Sequence, residues 1–254
     1  MIPLTWIDSD SVRLIREFLA TPSPWCTADE LLSGSEWRVA DPHRIPSLST
    51  AFLGQGGYGR VIKVASSIVP DQEIVDEHYG ALKMVPKEKM VHLVDEYDVL
   101  SKHSQDCDCS LICRPVSDVL DSSLLCGFVQ TPVGLNSLTR GSVTKTNNVL
   151  ALIGEALVSL HNHNPPIYHG DARIQNLVIT VDKSGLFWID LRTAKLLEGH
   201  HMSVLRRFDV RTLIDSIVDG AIQLPSVVTA IDAYCSDPTQ ALMDALMEQV
   251  RDLL

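Results

Sequence analysis

The chain has 254 residues, 45% of them hydrophobic and 21% charged, with a formal net charge of −11 at pH 7. That length holds one large domain or two small lobes with buried cores. The acidic balance argues against a nucleic-acid-binding surface and against an anionic membrane surface, and no apolar run approaches the ~18 residues needed to span a bilayer.

Residues 1–8 carry neither a basic n-region nor an apolar h-region, so no secretory signal is read there and a cytoplasmic or nuclear setting is expected. Residues 1–46 read as a separate opening segment. Residues 11–20 place Val12, Ile15 and Leu19 on one helical face, and Thr27-Ala28-Asp29-Glu30 starts a second short helix. Pro22, Pro24, Pro42 and Pro46 break the segment into pieces. An extension packed on the following lobe through Trp25 and Trp37 is the favoured reading, with a partner-docking arm as the alternative.

Residues 48–64 read as two strands joined by a glycine-rich turn, Leu53-Gly54-Gln55-Gly56-Gly57-Tyr58-Gly59-Arg60-Val61. A dinucleotide-binding version of G-x-G-x-x-G needs a helix next. Here Val61-Ile62-Lys63-Val64 alternates as a strand does. Glycines at 54, 56 and 59 let backbone N–H groups approach phosphates without Cβ clashes. A polar loop then leads into His78-Tyr79-Gly80-Ala81-Leu82-Lys83-Met84-Val85, another strand. A lysine on an apolar strand usually points to water at an edge. Behind a glycine loop at this distance, phosphate binding by Lys83 is favoured. Residues 87–102 form a helix whose apolar face is Leu93, Val94, Tyr97 and Leu100. Glu96 lies beside that face and is placed to orient Lys83, with Asp95 and Asp98 as competing candidates.

His103, Cys107, Cys109 and Cys113 cluster, and four N/S groups could hold zinc. There is no C-x-x-C, and free thiols in a reducing compartment are the simpler reading of the six cysteines. Residues 113–119 and 122–129 read as two strands across a turn at Asp121, and Gln130-Thr131-Pro132-Val133-Gly134 reads as a connector between lobes. Residues 146–163 keep a helical period through Val149, Leu152, Ile153, Ala156, Leu157 and Leu160.

That helix delivers the chain into His169-Gly170-Asp171-Ala172-Arg173-Ile174-Gln175-Asn176. An Asp and an Asn five positions apart on a loop can divide two jobs. The Asp takes a proton from an attacking hydroxyl while the Asn oxygen holds a metal ion. Residues 177–180 and 186–189 follow as a hairpin ending in Asp190-Leu191-Arg192. Asp209 heads an apolar helix containing Val210, Leu213, Ile214 and Ile217, and two more helices occupy 226–234 and 238–254. In the last, Leu242, Ala245, Leu246, Val250 and Leu253 make one stripe, either the core of a reduced lobe or an exposed dimer interface.

From about residue 48 to about residue 224, this order of parts resembles the eukaryotic-type protein kinase fold. Thr131-Pro132-Val133-Gly134 and His169-Gly170-Asp171-Ala172-Arg173 look like the kinase modules of oomycete crinkler effectors and fungal-type kinases. The resemblance implies an α+β, bilobal architecture. An antiparallel sheet with one helix would occupy 47–131, and a mainly helical, reduced C-lobe 132–254. It implies ATP and Mg²⁺ as cofactors and transfer of the γ-phosphoryl group to Ser/Thr hydroxyls of a protein substrate, inside a host cell if the crinkler likeness holds. Gly54, Gln55, Gly56, Gly57, Tyr58 and Gly59 would cover the phosphates, and Val61 and Ala81 would pack on the adenine. Backbone groups of Phe128, Val129 and Gln130 would meet the adenine edge, with Cys126 just inside that pocket. Lys83 would bind the α- and β-phosphates and Glu96 would orient it. Asp171 would accept the hydroxyl proton, Arg173 would neutralise γ-phosphoryl charge, and Asn176 and Asp190 would hold Mg²⁺. His169 would pack the loop.

The departures are as specific. Gly170 stands where the family carries the Arg that clamps a phosphorylated activation loop. The span from Asp190 to Asp209 is short and has no A-P-E, and Arg192 replaces the Gly of D-F-G. Activation-loop phosphorylation is therefore not expected to switch the protein on. Aminoglycoside- and choline-type kinases share H-G-D, so a small-molecule phosphotransferase acting on an alcohol is the alternative enzyme. A nucleotide-binding pseudokinase scaffold is the third reading.

Overall fold

The alternating runs around Ile62 and Leu82 become neighbouring central strands of an antiparallel sheet. The computed structural model describes residues 24–40, 52–55, 59–66, 79–104, 111–196 and 201–254. The helix expected over 11–20, the glycine-turn tip Gly56-Gly57-Tyr58, Cys107 and Cys109 lie outside them.

In chain order the first elements are α1 (Pro24–Leu32), β1 (Trp37–Val39), β2 (Phe52–Gln55), β3 (Arg60–Ser66), β4 (Tyr79–Pro86) and α2 (Met90–Ser104). Then come β5 (Arg114–Pro115), β6 (Leu120–Asp121) and β7 (Leu125–Thr131). Among the described residues the sheet runs β1-β3-β4-β7-β5, with β2 added to β3 and β6 to β7. Lys83 sits opposite Val61 on one side and Phe128 on the other, so the register sets it at the middle of the sheet.

One face of the sheet buries Ile62, Val64, Leu82 and Val129 against Ala28, Leu31 and Leu32 of α1 and against Trp37. Of the two tryptophans expected to dock this segment, Trp37 packs on the sheet, while the Trp25 side chain lies outside what is described; the segment also contributes a strand, β1, paired with β3. α1 opens at Pro24, three residues earlier than its first sequence signal, because proline suits a first helical turn. On the other side Val85 and Phe128 join Leu93 and Leu100 of α2 in the larger core, where Tyr97 meets Phe128 edge-on at 5.4 Å.

The strand expected over 113–119 is reduced to β5 and β6. Pro115 has no N–H to give, and past it the Ser117 hydroxyl accepts the Val129 N–H at 2.8 Å. A side chain there replaces the carbonyl that a longer strand would have offered.

The helical half comprises α3 (Val149–His161), α4 (Met202–Ile217), α5 (Pro225–Ser236) and α6 (Gln240–Leu253). Between α3 and α4 the chain forms β8 (Ile167–Tyr168), β9 (Leu177–Ile179), β10 (Leu186–Trp188) and β11 (Lys195–Leu196). β9 pairs with β10 and β8 with β11, both antiparallel. Of the expected α6 stripe, Leu246 and Val250 face inward and Leu242 is half-buried, whereas Ala245 and Leu253 are exposed. Leu246 and Val250 are buried together with Met243 and Met247, and both methionines lie against Gly154 of α3. Asp209 does not head its helix: α4 begins at Met202, so Asp209 lies about two turns inside and is fully buried. The architecture is α+β, a curled antiparallel sheet with helices. Among the described residues no helix is long and apolar enough to cross a membrane.

Candidate active site

β4 and α2 pack face to face, and that packing aims Lys83 at Glu96. The Lys83 Nζ lies 2.5 Å from a Glu96 carboxylate oxygen and 3.2 Å from Asp190 Oδ1. Of the three acidic candidates on α2, Glu96 alone is buried; Asp95 and Asp98 face solvent. Burial works against the charge on Lys83, but Glu96 and then Asp190 outweigh it and hold the ammonium above the usual lysine range. Burial likewise opposes ionisation of Asp190. Lys83 above all, with His169 and Arg192, keeps that carboxyl below the usual carboxylate range.

The loop 169–176 is fastened from beneath. Asp209 Oδ2 accepts the His169 N–H at 2.8 Å and Oδ1 accepts the Gly170 N–H at 2.9 Å. His161 on α3 adds its Nε2 to Asp209 at 3.3 Å, while its Nδ1 lies 2.9 Å from the Tyr234 hydroxyl on α5. The loop and α3 thus meet on one buried carboxylate, with α5 joined to it through His161. His169 packs edge-on against Trp188 with centroids 4.8 Å apart, its Nδ1 accepts the Asp171 N–H, and its Nε2 reaches the Ile189 carbonyl. That is the packing role expected of it.

Above this base, Arg173 donates to Asp171 Oδ2 at 2.5 Å. The Asn176 amide nitrogen donates to the Asp171 carbonyl at 2.8 Å and to its Oδ2 at 3.2 Å. Because the nitrogen is used inward, the Asn176 side-chain oxygen is the group left to face the cleft. The β9–β10 register carries on past its ends through an Ile189 N–H to the Asn176 carbonyl, 2.9 Å, which sets Asn176 one residue from Asp190. Asp190 itself adopts a left-handed conformation, φ +60°.

A cavity of about 410 Å³ lies between the sheet and this loop. Leu53, Gly54, Gly59, Val61, Ala81 and Lys83 wall it from above, and Arg173, Gln175, Asn176, Val178, Phe187 and Asp190 from below. Gly59 is required on steric grounds alone, since a Cβ there would stand within the Met84 carbonyl of β4. Gly54, in β2 opposite Val61, has open space around it, as backbone approached by a ligand needs. Of Gln55 the structure describes only its strand position opposite Arg60.

At the back of the cavity three expectations shift. Gln130 lines it, whereas Phe128 and Val129 do not: the Phe128 backbone stands opposite Lys83 within the sheet, and Val129 gives its N–H to the Ser117 hydroxyl and its carbonyl to the Val116 N–H. β7 extends to Thr131, two residues beyond the expected end, so the edge is formed by Pro132, Val133 and Gly134. These are the connector residues; the strand's alternation and the following Pro-Val-Gly were the signal that could have placed them. The cysteine at the cavity is Cys113, not Cys126, which points into the core with its thiol towards the Val85 carbonyl. Asp171 and Glu96 do not line the cavity themselves. They act on it through Arg173 and Asn176, and through Lys83.

The donor set suits a small hard cation. Asn176 and Asp190 each offer an oxygen at one end of the cavity. A Mg²⁺ ion is commonly held by one or two protein oxygens, with waters and phosphate oxygens completing its octahedron. Among the described residues there is no cluster of three or more His, Cys, Asp or Glu that would make a closed protein cage.

No family model matches the chain, and no curated protein is similar to it in sequence.

Proposed function

We propose that the chain is a protein kinase-like phosphotransferase of bilobal fold, using ATP and Mg²⁺ and acting on Ser/Thr hydroxyls. The observation that carries this reading is Lys83, held between buried Glu96 and cleft-facing Asp190, in the same cavity as Asn176, which is hydrogen-bonded to Asp171. The sheet strands come from one half of the chain and the oxygen donors from the other, so the reactants would be gripped from both sides. The likeness of Thr131-Pro132-Val133-Gly134 and His169-Gly170-Asp171-Ala172-Arg173 to crinkler and fungal-type kinase modules supports the same reading.

Val61 and Ala81 would pack on the base, and Lys83, its direction fixed by Glu96, would hold the α- and β-phosphates. Asn176 and Asp190 would hold the Mg²⁺, whose chemistry is to neutralise charge developing on the phosphate oxygens. The Asp171 carboxylate accepts the proton of the attacking hydroxyl. The acceptor oxygen bonds to the γ-phosphorus, the bond from that phosphorus to the β–γ bridging oxygen breaks, and the diphosphate leaves with the electron pair. Arg173, hydrogen-bonded to Asp171, orients the base and sets a positive charge beside the transferring group. Positioning and charge neutralisation dominate such transfers, so these groups suffice.

Mg-ATP at a hundredfold excess over its dissociation constant should stabilise the folded chain by about 2.7 kcal/mol and raise its melting temperature. Asp171→Asn should keep that shift and lose transfer of labelled phosphate. An unchanged melting temperature would sink the nucleotide-site reading, and full turnover by Asp171→Asn would sink the assignment of the base.

A further inference from the structure

A second cavity, of about 660 Å³, lies on the far side of the catalytic loop. It shares Arg173 and Gln175 with the first, so these two side chains form the wall between them. Three guanidinium groups line it, Arg140, Arg173 and Arg211, against one carboxylate, Asp215. The chain around it carries a net charge of −11.

The three arginines are not equivalent. Arg140 is paired with Asp219, and it donates to the carbonyls of Asp215 and Ser216, where α4 ends. A cation at a helix C-terminus is well placed electrostatically, so Arg140 is explained by the fold. Arg173 is engaged with Asp171. Arg211 is half-buried in the cavity wall and has no hydrogen-bond or ion-pair partner among the described residues. Beside it Phe208 is 52% exposed, held edge-on to Tyr168 with centroids 6.1 Å apart. A guanidinium without a partner, next to an uncovered aromatic ring, is how a binding wall looks before its ligand arrives.

We infer that this second cavity is the acceptor subsite, and that it selects an acceptor alcohol bearing a carboxylate or a phosphate close to its hydroxyl. The inference rests on the phosphotransferase reading above. With the nucleotide on the Gly54 and Lys83 side, an acceptor hydroxyl reaches Asp171 past Arg173, and the group that follows it enters the second cavity. There Arg211 meets an anion with a charge-assisted, planar hydrogen-bonding fork, and repels a cation. Phe208 gives the acceptor an apolar contact at the same wall. In the transfer the acceptor's proton goes to Asp171 and its oxygen forms the new bond to the γ-phosphorus of ATP, with the diphosphate as leaving group.

The test uses the full chain with Mg-ATP and matched Ser/Thr peptides carrying Asp and Glu, phosphoserine, or Lys and Arg beside the acceptor, with glycerol phosphate as a small anionic alcohol. Anionic acceptors should exceed cationic ones at least ~10-fold in kcat/KM, the scale of one charge-assisted contact. Arg211→Gln should raise KM for anionic acceptors by about as much, leaving KM for ATP and the melting temperature unchanged. Arg211→Glu should turn the preference towards Lys- and Arg-bearing peptides. Transfer to glycerol phosphate alone would support the subsite and assign it to small molecules; transfer to acidic peptides would assign it to proteins. A preference for cationic acceptors, or a profile untouched by Arg211→Glu while turnover persists, overturns the subsite and leaves the phosphotransferase reading standing. Equilibrium binding of the same peptides to Asp171→Asn needs no turnover. Acidic-peptide binding that Arg211→Glu abolishes supports the subsite even where nothing is phosphorylated, in which case the phosphotransferase reading is what falls. Binding of neither acidic peptide nor glycerol phosphate overturns the subsite.

Discussion

A Cβ built on Gly170 would lie 2.7 Å from the carbonyl oxygen of Thr193. Gly170 also has φ +81°, a conformation that side-chain-bearing residues rarely adopt. The short segment after Asp190 folds straight back over the loop: β11 pairs with β8, and the Thr193 hydroxyl donates to the His169 carbonyl at 3.0 Å. No side chain fits at 170. That gives a physical reason for the missing arginine independent of regulation. Gly170→Ala is expected to cost about 2–3 kcal/mol, combining left-handed strain with a clash against backbone that cannot swing away. Urea unfolding measures this, and an unshifted midpoint would refute the steric account.

The Lys83–Glu96 pair is expected to behave as a unit. The Glu96 side chain is only 3% exposed, so Lys83→Met strands a buried carboxylate, and Glu96→Gln strands most of the attraction that keeps Lys83 in place. Each single change should destabilise the fold by roughly 2–4 kcal/mol. The double variant should cost less than their sum by about 1–3 kcal/mol. Strictly additive losses in denaturant titrations would mean that the two side chains do not depend on each other.

Much of this site is readable in the chain, because the residues that make it are chemically distinctive and lie in elements with clear periods. Lys83 stands out on an apolar strand, and Glu96 is the acid nearest the apolar face of α2. Asp171, Asn176 and Asp190 bracket a hairpin whose register follows from its turn. What is not readable depends on where the chain goes in space. β7 runs on to Thr131 because β4 and β5 supply its partners, which moves the cavity edge onto Pro132–Gly134. α4 extends back to Met202, and Asp209 becomes an internal anchor, because its acceptors are used by a loop some forty residues earlier. Met243 and Met247 replace the expected outer edge of the α6 stripe because Gly154 leaves a groove for them. Local periodicity carries no signal for any of these long-range partners.

Asp209 should be among the least replaceable residues. It accepts from two backbone N–H groups and from His161, all in a fully buried setting. Asp209→Asn keeps the volume but exchanges one acceptor oxygen for an NH₂ that faces another donor. An expected loss of about 3 kcal/mol or more follows from leaving buried donors unpaired. The loop should loosen as well, so faster amide exchange at His169 and Gly170 is the specific readout. Exchange unchanged at those two positions would show that Asp209 does not fasten the loop.

Acid should weaken the fold through two buried imidazoles. Burial lowers both His161 and His169 below the ordinary histidine value of 6.5, and the nearby Asp209 offsets this only in part. Their hydrogen bonds fit the neutral ring. Nδ1 of His161 can accept from the Tyr234 hydroxyl while Nε2–H donates to Asp209, and Nδ1 of His169 accepts the Asp171 N–H while Nε2–H donates to Ile189. In the unfolded chain both rings take up a proton as pH falls through about 6.5, whereas in the folded chain they resist until lower pH. The unfolded state therefore binds more protons in that window, and stability declines as pH drops below about 6.5. Each ring contributes up to about 1.4 kcal/mol per pH unit, until its folded-state value is reached. Asp190, held low by Lys83, keeps its charge throughout and adds a loss only below the ordinary carboxylate value of 3.8. Denaturant titrations between pH 5 and pH 7.5 should give a positive slope of stability with pH. His161→Gln should remove about one proton's worth, about 1.4 kcal/mol per pH unit. A slope identical in the two proteins would mean that His161 titrates alike whether the chain is folded or not, and that the Tyr234–His161–Asp209 chain does not hold it neutral.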